Sequence, residues 1–338
     1  MISSENGRLF IYAWCHMCVD ALCCLLLYQT HVNAWLWIIG YHALAFALQP
    51  VFGLMIDRHP AIPAGKISIL LILGAYTLQH FPTLAVSFAG VGNALFHIEG
   101  GYVSLHRAQR KIGPGGFFVG AGALGIGMAL IFAKFYISAI PFLFVLFSAS
   151  SLFLLLLTPI SPALRQRSGA FHLPLQADAF YWLFAAILVR GYTGMHISVP
   201  IIGWQGILCV AVLSCAGKMT GGYIADRIGA EKTVLFAQIM AAFCMLVSYW
   251  LPFCRLAVIF LINLPMAVTL AALSDCFPHQ TGMAFGLAPL ALYIGYISML
   301  LPVSTVLSDI WILAALLLGS AYFLKRVFTA CINKNDKP

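Results

Sequence analysis

Three ionised side chains stand inside long apolar runs of this sequence, and they are the residues with chemistry to offer. Asp20 lies in the middle of the first run, with His16 one helical turn before it on the same face. Arg190 interrupts "FYWLFAAILVRGYTG", and Glu99 follows Asn93 and His97 in "GVGNALFHIEGG". A carboxylate withdrawn from water can take up and release a proton. A guanidinium stays charged and offers a planar fork suited to a carboxylate or phosphonate. Asp20, His16, Asn93, His97, Glu99 and Arg190 are therefore the candidate substrate or proton site. Asp20 and Arg190 are read as functional partners, with a purely structural ion pair as the alternative. Cys15, His16, Cys18, Asp20 and Cys23 also gather soft metal ligands. On a helix, however, positions 15, 18 and 23 do not share a face with 16 and 20, so no metal site is expected.

The elements that must position these groups follow from composition. Of 338 residues, 62% are hydrophobic and 8% charged. A soluble domain is about 25% charged, so a water-facing surface cannot be built. In hydrocarbon every backbone polar group must be paired internally, and runs such as "FLFVLFSASSLFLLLL" lack the alternation of barrel strands. An all-α integral membrane protein is predicted. At about 20 residues per span, breaks at Pro, Gly, Asn and charge clusters place helices near 10–29, 34–55, 66–80, 83–104, 114–133 and 138–158. A second set follows near 178–197, 200–224, 232–251, 255–275, 280–303 and 309–328. Residues 1–160 then form one six-helix bundle, 161–177 a cytoplasmic linker, and 178–338 a second bundle. With the N-terminus inside, fifteen of the 18 Lys and Arg fall on the inner side, Lys218 counted among them, as positive charge favours cytoplasmic loops. Both termini are expected in the cytoplasm. The net charge of +8 forms no basic block, so no nucleic-acid partner is expected. The ten cysteines crowd apolar segments, where small side chains serve packing.

The sequence also repeats itself. "GLMIDR" (Gly53 to Arg58) recurs as "GYIADR" (Gly222 to Arg227), with Asp57 and Asp226 lying 169 residues apart, half the chain. The same shift carries span 1 onto span 7, span 4 onto span 10 and span 5 onto span 11, implying two parallel six-helix halves. Gly53, Asp57 and Arg58, with Gly222, Asp226, Arg227 and Gly229, resemble the loop motif of the major facilitator superfamily. In that family the aspartate holds a neighbouring helix end and helps close the cytoplasmic side. The second copy is the better preserved and is expected to matter more. Residues 90–101 are similar to a stretch of the fosmidomycin-resistance-type members, with Ile98 where proline is usual.

The resemblance implies a monomeric secondary transporter in a lipid bilayer, that of the bacterial cytoplasmic membrane. Spans 1, 4, 7 and 10 would line a central cavity, and a small anionic or zwitterionic solute would cross by alternating access coupled to protons. A sensor on the same scaffold and drug efflux are the rival readings. No cofactor is called for, and no phosphate loop, metalloprotease motif or nucleophile elbow points to an enzyme.

Overall fold

The computed structural model describes residues 5–29, 34–105, 111–135, 139–158, 177–297 and 309–335. They form α1 (Glu5–Gln29), α2 (Ala34–His42), a π-helical turn (Ala43–Ala47), α3 (Gln49–Arg58), α4 (Ala64–Thr77), α5 (Pro82–Leu105), α6 (Gly113–Phe135) and α7 (Ala139–Leu157). The second half runs α8 (Ala177–His196), α9 (Gly203–Ile228), α10 (Ala230–Val247), α11 (Cys254–Asn263), α12 (Pro265–Cys276), α13 (Thr281–Ile297) and α14 (Ile310–Asn335). These helices make twelve crossings, because two spans are broken by proline. Pro50 and Pro265 lack the N–H that would continue a helix. Span 2 therefore passes through the π turn before restarting at α3, and span 10 breaks between α11 and α12. The linker expected at 161–177 lies, but for its last residue, outside the described residues.

Seven of the helical stretches are long and apolar enough to cross a membrane by length and composition, among them Glu5–Tyr28, Leu36–Arg58 and Gly203–Ile228. The long helices α5 and α8 are not in that set. They carry Asn93, His97, Glu99 and Arg190, all buried inside the protein, where polar groups find partners that lipid cannot supply. Gly229 joins α9 to α10 in a single residue with φ +98°, a backbone state that favours glycine.

In the first half α1 packs on α5, α6 and α7, and α4 on α5; in the second, α8 and α10 pack on α14, and α9 on α11. Among the described residues the halves meet chiefly along two seams, α6 against α9 and α3 against α13, with α5 also against α13 and α6 against α12. Both seams are lined with glycine. Gly53 lies against the backbone of Gly282, and a Cβ on Gly222 would stand 2.8 Å from the Gly113 Cα. Along the same seams Gly286 meets Gln49 and Pro50, and Gly116 meets the Lys218 carbonyl. The 169-residue repeat exchanges the pairs: Gly53 corresponds to Gly222 and Gly113 to Gly282. Small residues let membrane helices approach this closely.

Candidate functional site

Four of the expected residues meet near the middle of the first half. His16 Nε2 lies 3.1 Å from Asp20 Oδ2, as the i, i+4 spacing on α1 allows. Asn93 of α5 donates to Asp20 Oδ1 at 3.0 Å. His97, one turn further along α5, brings its Nε2 to 2.8 Å from His16 Nε2 and 3.9 Å from Asp20 Oδ1. The opposite ring nitrogens are both committed: His16 Nδ1 faces the Phe118 carbonyl at 2.8 Å and His97 Nδ1 the Asn93 carbonyl at 2.9 Å. A carbonyl only accepts, so each Nδ1 carries the hydrogen. In neutral rings both Nε2 atoms then present bare lone pairs to each other and to the carboxylate. That arrangement is repulsive unless a cation sits within it. Gly122 on α6 leaves the room, since a Cβ there would collide with Asp20 Oδ2 and His16 Nε2. Phe118 stacks on His16 at 4.6 Å and Phe46 of the π turn meets His97 edge-on at 6.3 Å, closing the cluster with an apolar wall.

Two expectations need correcting. Asp20 and Arg190 form no ion pair. The Arg190 guanidinium donates to Thr269 Oγ1 at 3.2 Å and to Met266 Sδ at 2.9 Å on α12, and no carboxylate among the described residues pairs with it. The repeat carries position 20 onto 189, so Arg190 matches Asp20 in depth but is turned by about 100° about the helix axis. Glu99 does not join the cluster either. It follows His97 by two residues, which places it on the other side of α5, against Tyr12 Oη at 3.4 Å and Gly65 of α4.

Sequence reasoning also missed a residue. Lys218, counted with the cytoplasmic cations, lies on α9 ten residues before its end at Ile228, about 15 Å along the axis. It interacts electrostatically with Arg190 and Asp20 and forms no ion pair among the described residues. Its position inside the predicted eighth span was the available signal. The reading that set metal chemistry aside considered α1 alone; the third ligand-type group, His97, comes from α5.

At one end of the seams the two repeated aspartates cap helices of the opposite half. Asp57 accepts hydrogen bonds from the Gly282 and Met283 N–H groups at 3.0 and 2.9 Å, at the start of α13. Asp226 accepts from Ile112 and Gly113 at 2.8 and 2.9 Å, at the start of α6. A helix N-terminus has unsatisfied donors and a positive dipole end, so each carboxylate latches a helix of the other half.

No family model and no curated protein matches the chain. Solved structures do. The fucose:proton symporter FucP of E. coli aligns with a TM-score of 0.66 at 12% identity, covering 99% of this chain and 100% of that one. The chain has the major facilitator fold. A bacterial homologue of the iron transporter ferroportin, in an outward-facing state, aligns at 0.60 and 15% identity over 98% of this chain and 99% of that one. The human organic anion transporter TETRAN aligns at 0.67 and 14% identity, over 97% and 99%.

Burial argues for the opposite ranking of the two latches. Asp57 is fully buried, whereas Asp226 is exposed. Water can replace the hydrogen bonds of Asp226 but not those of Asp57, where two charge-assisted bonds are worth on the order of 3–6 kcal/mol together. Asp57→Ala is therefore expected to open this end more than Asp226→Ala. Thiol-labelling rates of cysteines introduced at the α3–α13 and α6–α9 seams measure it, and equal labelling in the two variants contradicts it.

Proposed function

We propose that the chain is a secondary transporter that carries a small anionic or zwitterionic solute by alternating access, coupled to protons. One observation carries the reading. Arg190 and Lys218 stand within the second half in no ion pair with a carboxylate among the described residues, while the first half holds Asp20, which attracts Lys218, with its two histidines. An isolated cation within a membrane is costly, and an anion lying between the two cations relieves both. The fork of Arg190 has donors left over after Thr269 and Met266, and these fit a planar oxyanion. On the other side, a proton on one Nε2 turns the opposed lone pairs of His16 and His97 into charge-assisted hydrogen bonds, with Asp20 as counter-ion. Anion and proton thus have separate places in opposite halves.

We read residues 1–160 and 178–338 as the units that rock, with the latches of Asp57 and Asp226 closing the cytoplasmic end. The cation asymmetry supports cytoplasmic termini, and the local resemblance of residues 90–101 supports a bacterial inner membrane. The test is flux in proteoliposomes under an imposed pH gradient, with labelled monocarboxylates, dicarboxylates and phosphonates and a neutral sugar as control. An anion should accumulate and be released by a protonophore. Flux of the neutral sugar alone, or anion flux indifferent to the gradient, overturns the proposal.

A further inference from the structure

We propose that His16, Asp20 and His97 form a binding site for a divalent first-row transition-metal ion. Their ligand atoms all lie within 4.8 Å of one another. Metal–ligand bonds of about 2.1 Å separate neighbouring ligand atoms by roughly 2.9–3.4 Å at right or tetrahedral angles. The separations around His16 Nε2, 2.8 Å to His97 Nε2 and 3.1 Å to Asp20 Oδ2, are close to those of such a shell; His97 Nε2 lies 3.9 Å from the other carboxylate oxygen, Oδ1, so a small rotation of the carboxylate completes it.

The surroundings are those a metal site requires. A ligating histidine donates its other N–H to a carbonyl or carboxylate, which fixes the tautomer and leaves the second nitrogen bare. Both histidines do this, to Phe118 and Asn93. A ligating carboxylate is itself hydrogen-bonded, and Asn93 Nδ2 supplies that bond to Asp20. Asn93 thus braces two of the three ligands, through its carbonyl and its side-chain amide. Gly122 keeps a side chain from covering the ligand atoms. Asp20 and His97 retain 9% and 7% of their surface. Two imidazoles and one carboxylate suit zinc, iron(II), cobalt or nickel rather than calcium or magnesium, which prefer all-oxygen shells. Three protein ligands leave further coordination positions open.

The inference is independent of which solute the protein carries, although metal and proton compete for the same Nε2 atoms. It can fail while anion flux stands, and metal binding can stand without that flux. The probe is cobalt(II) added to the purified full-length protein in detergent, with binding read from its visible d–d absorption and by calorimetry. One ion per chain is expected. His97→Gln and Asp20→Asn should abolish binding, and Asn93→Ala should weaken it about 10- to 100-fold. Cys15→Ala/Cys18→Ala should bind as the wild type does. Gel-filtration profiles and melting temperatures identify any variant that has lost its fold, and Asn93→Ala, which removes no ligand, serves where a ligand variant does. Failure of the wild-type protein to bind cobalt, or binding that survives in folded His97→Gln, overturns the site; loss of binding on removing the two cysteines assigns the ion to thiolates and overturns it equally.

Discussion

Asp20→Asn is expected to reduce gradient-driven accumulation of the solute to the level of protein-free vesicles while leaving counterflow exchange largely intact. The amide keeps the shape of the carboxylate, and its Nδ2–H can donate to His16 Nε2, the atom 3.1 Å from Asp20 Oδ2. A bare lone pair is then satisfied without any added cation, and the negative charge that held that cation is gone. Counterflow requires only that the loaded protein exchange solute between its two faces, and the cations that would bind the solute are untouched. Accumulation and counterflow should be measured on the same vesicle preparation. Full accumulation in Asp20→Asn places coupling elsewhere, and loss of both activities assigns Asp20 a structural role.

Arg190→Lys is expected to weaken solute binding about 10- to 100-fold although the charge is kept, because a hydrogen bond between charged groups contributes about 1.5–3 kcal/mol and the second prong of the fork is lost. Lys218→Met should weaken binding as well, by removing one of the two positive charges. Solute-induced thermal stabilisation or equilibrium binding measures both effects, since a ligand stabilises the state it binds. The exchange Asp20→Arg/Arg190→Asp should rescue nothing, because the two side chains answer to different partners, His16 and Asn93 on one side and Thr269 and Met266 on the other. Recovery of transport in that double variant restores the Asp20–Arg190 pairing, and unchanged affinity in Arg190→Lys removes the anion site.

The fold was legible because its signals are one-dimensional. Apolar runs of membrane-crossing length, and the recurrence of "GLMIDR" as "GYIADR", depend on counting along the chain, and the helices fall close to the predicted spans. The latch contacts were legible through the family that the two motif copies resemble, in which the aspartate holds a neighbouring helix end, as Asp57 and Asp226 do here. What the repeat could not supply was azimuth. A shift of 169 residues compares depths, and one residue of mismatch at Arg190 turns a side chain by about 100°. The same blindness hid His97 from His16, since their meeting depends on how α5 is rotated against α1. Burial was equally out of reach. The second motif copy is the better preserved, yet Asp57, in the poorer copy, is the one sealed from water. Lys218 was misplaced for a different reason, because charge was read as a marker of loops even where the surrounding residues were apolar.

The glycine seams bear on speed as well as on fit. Where helices pack by interlocking side chains, a tilt must lift knobs out of holes. Gly53 against Gly282 and Gly113 against Gly222 present backbone to backbone, so at these points the halves meet on smooth faces, while Phe118 against Phe285 and His42 against Tyr296 still interlock further along. At one end the four N–H···carboxylate bonds of Asp57 and Asp226 add to the resistance to tilting. If the halves rock as proposed, the buried bonds of Asp57 set more of the resistance than the water-exposed bonds of Asp226, and changing Asp57 retunes the rate without altering the glycine faces.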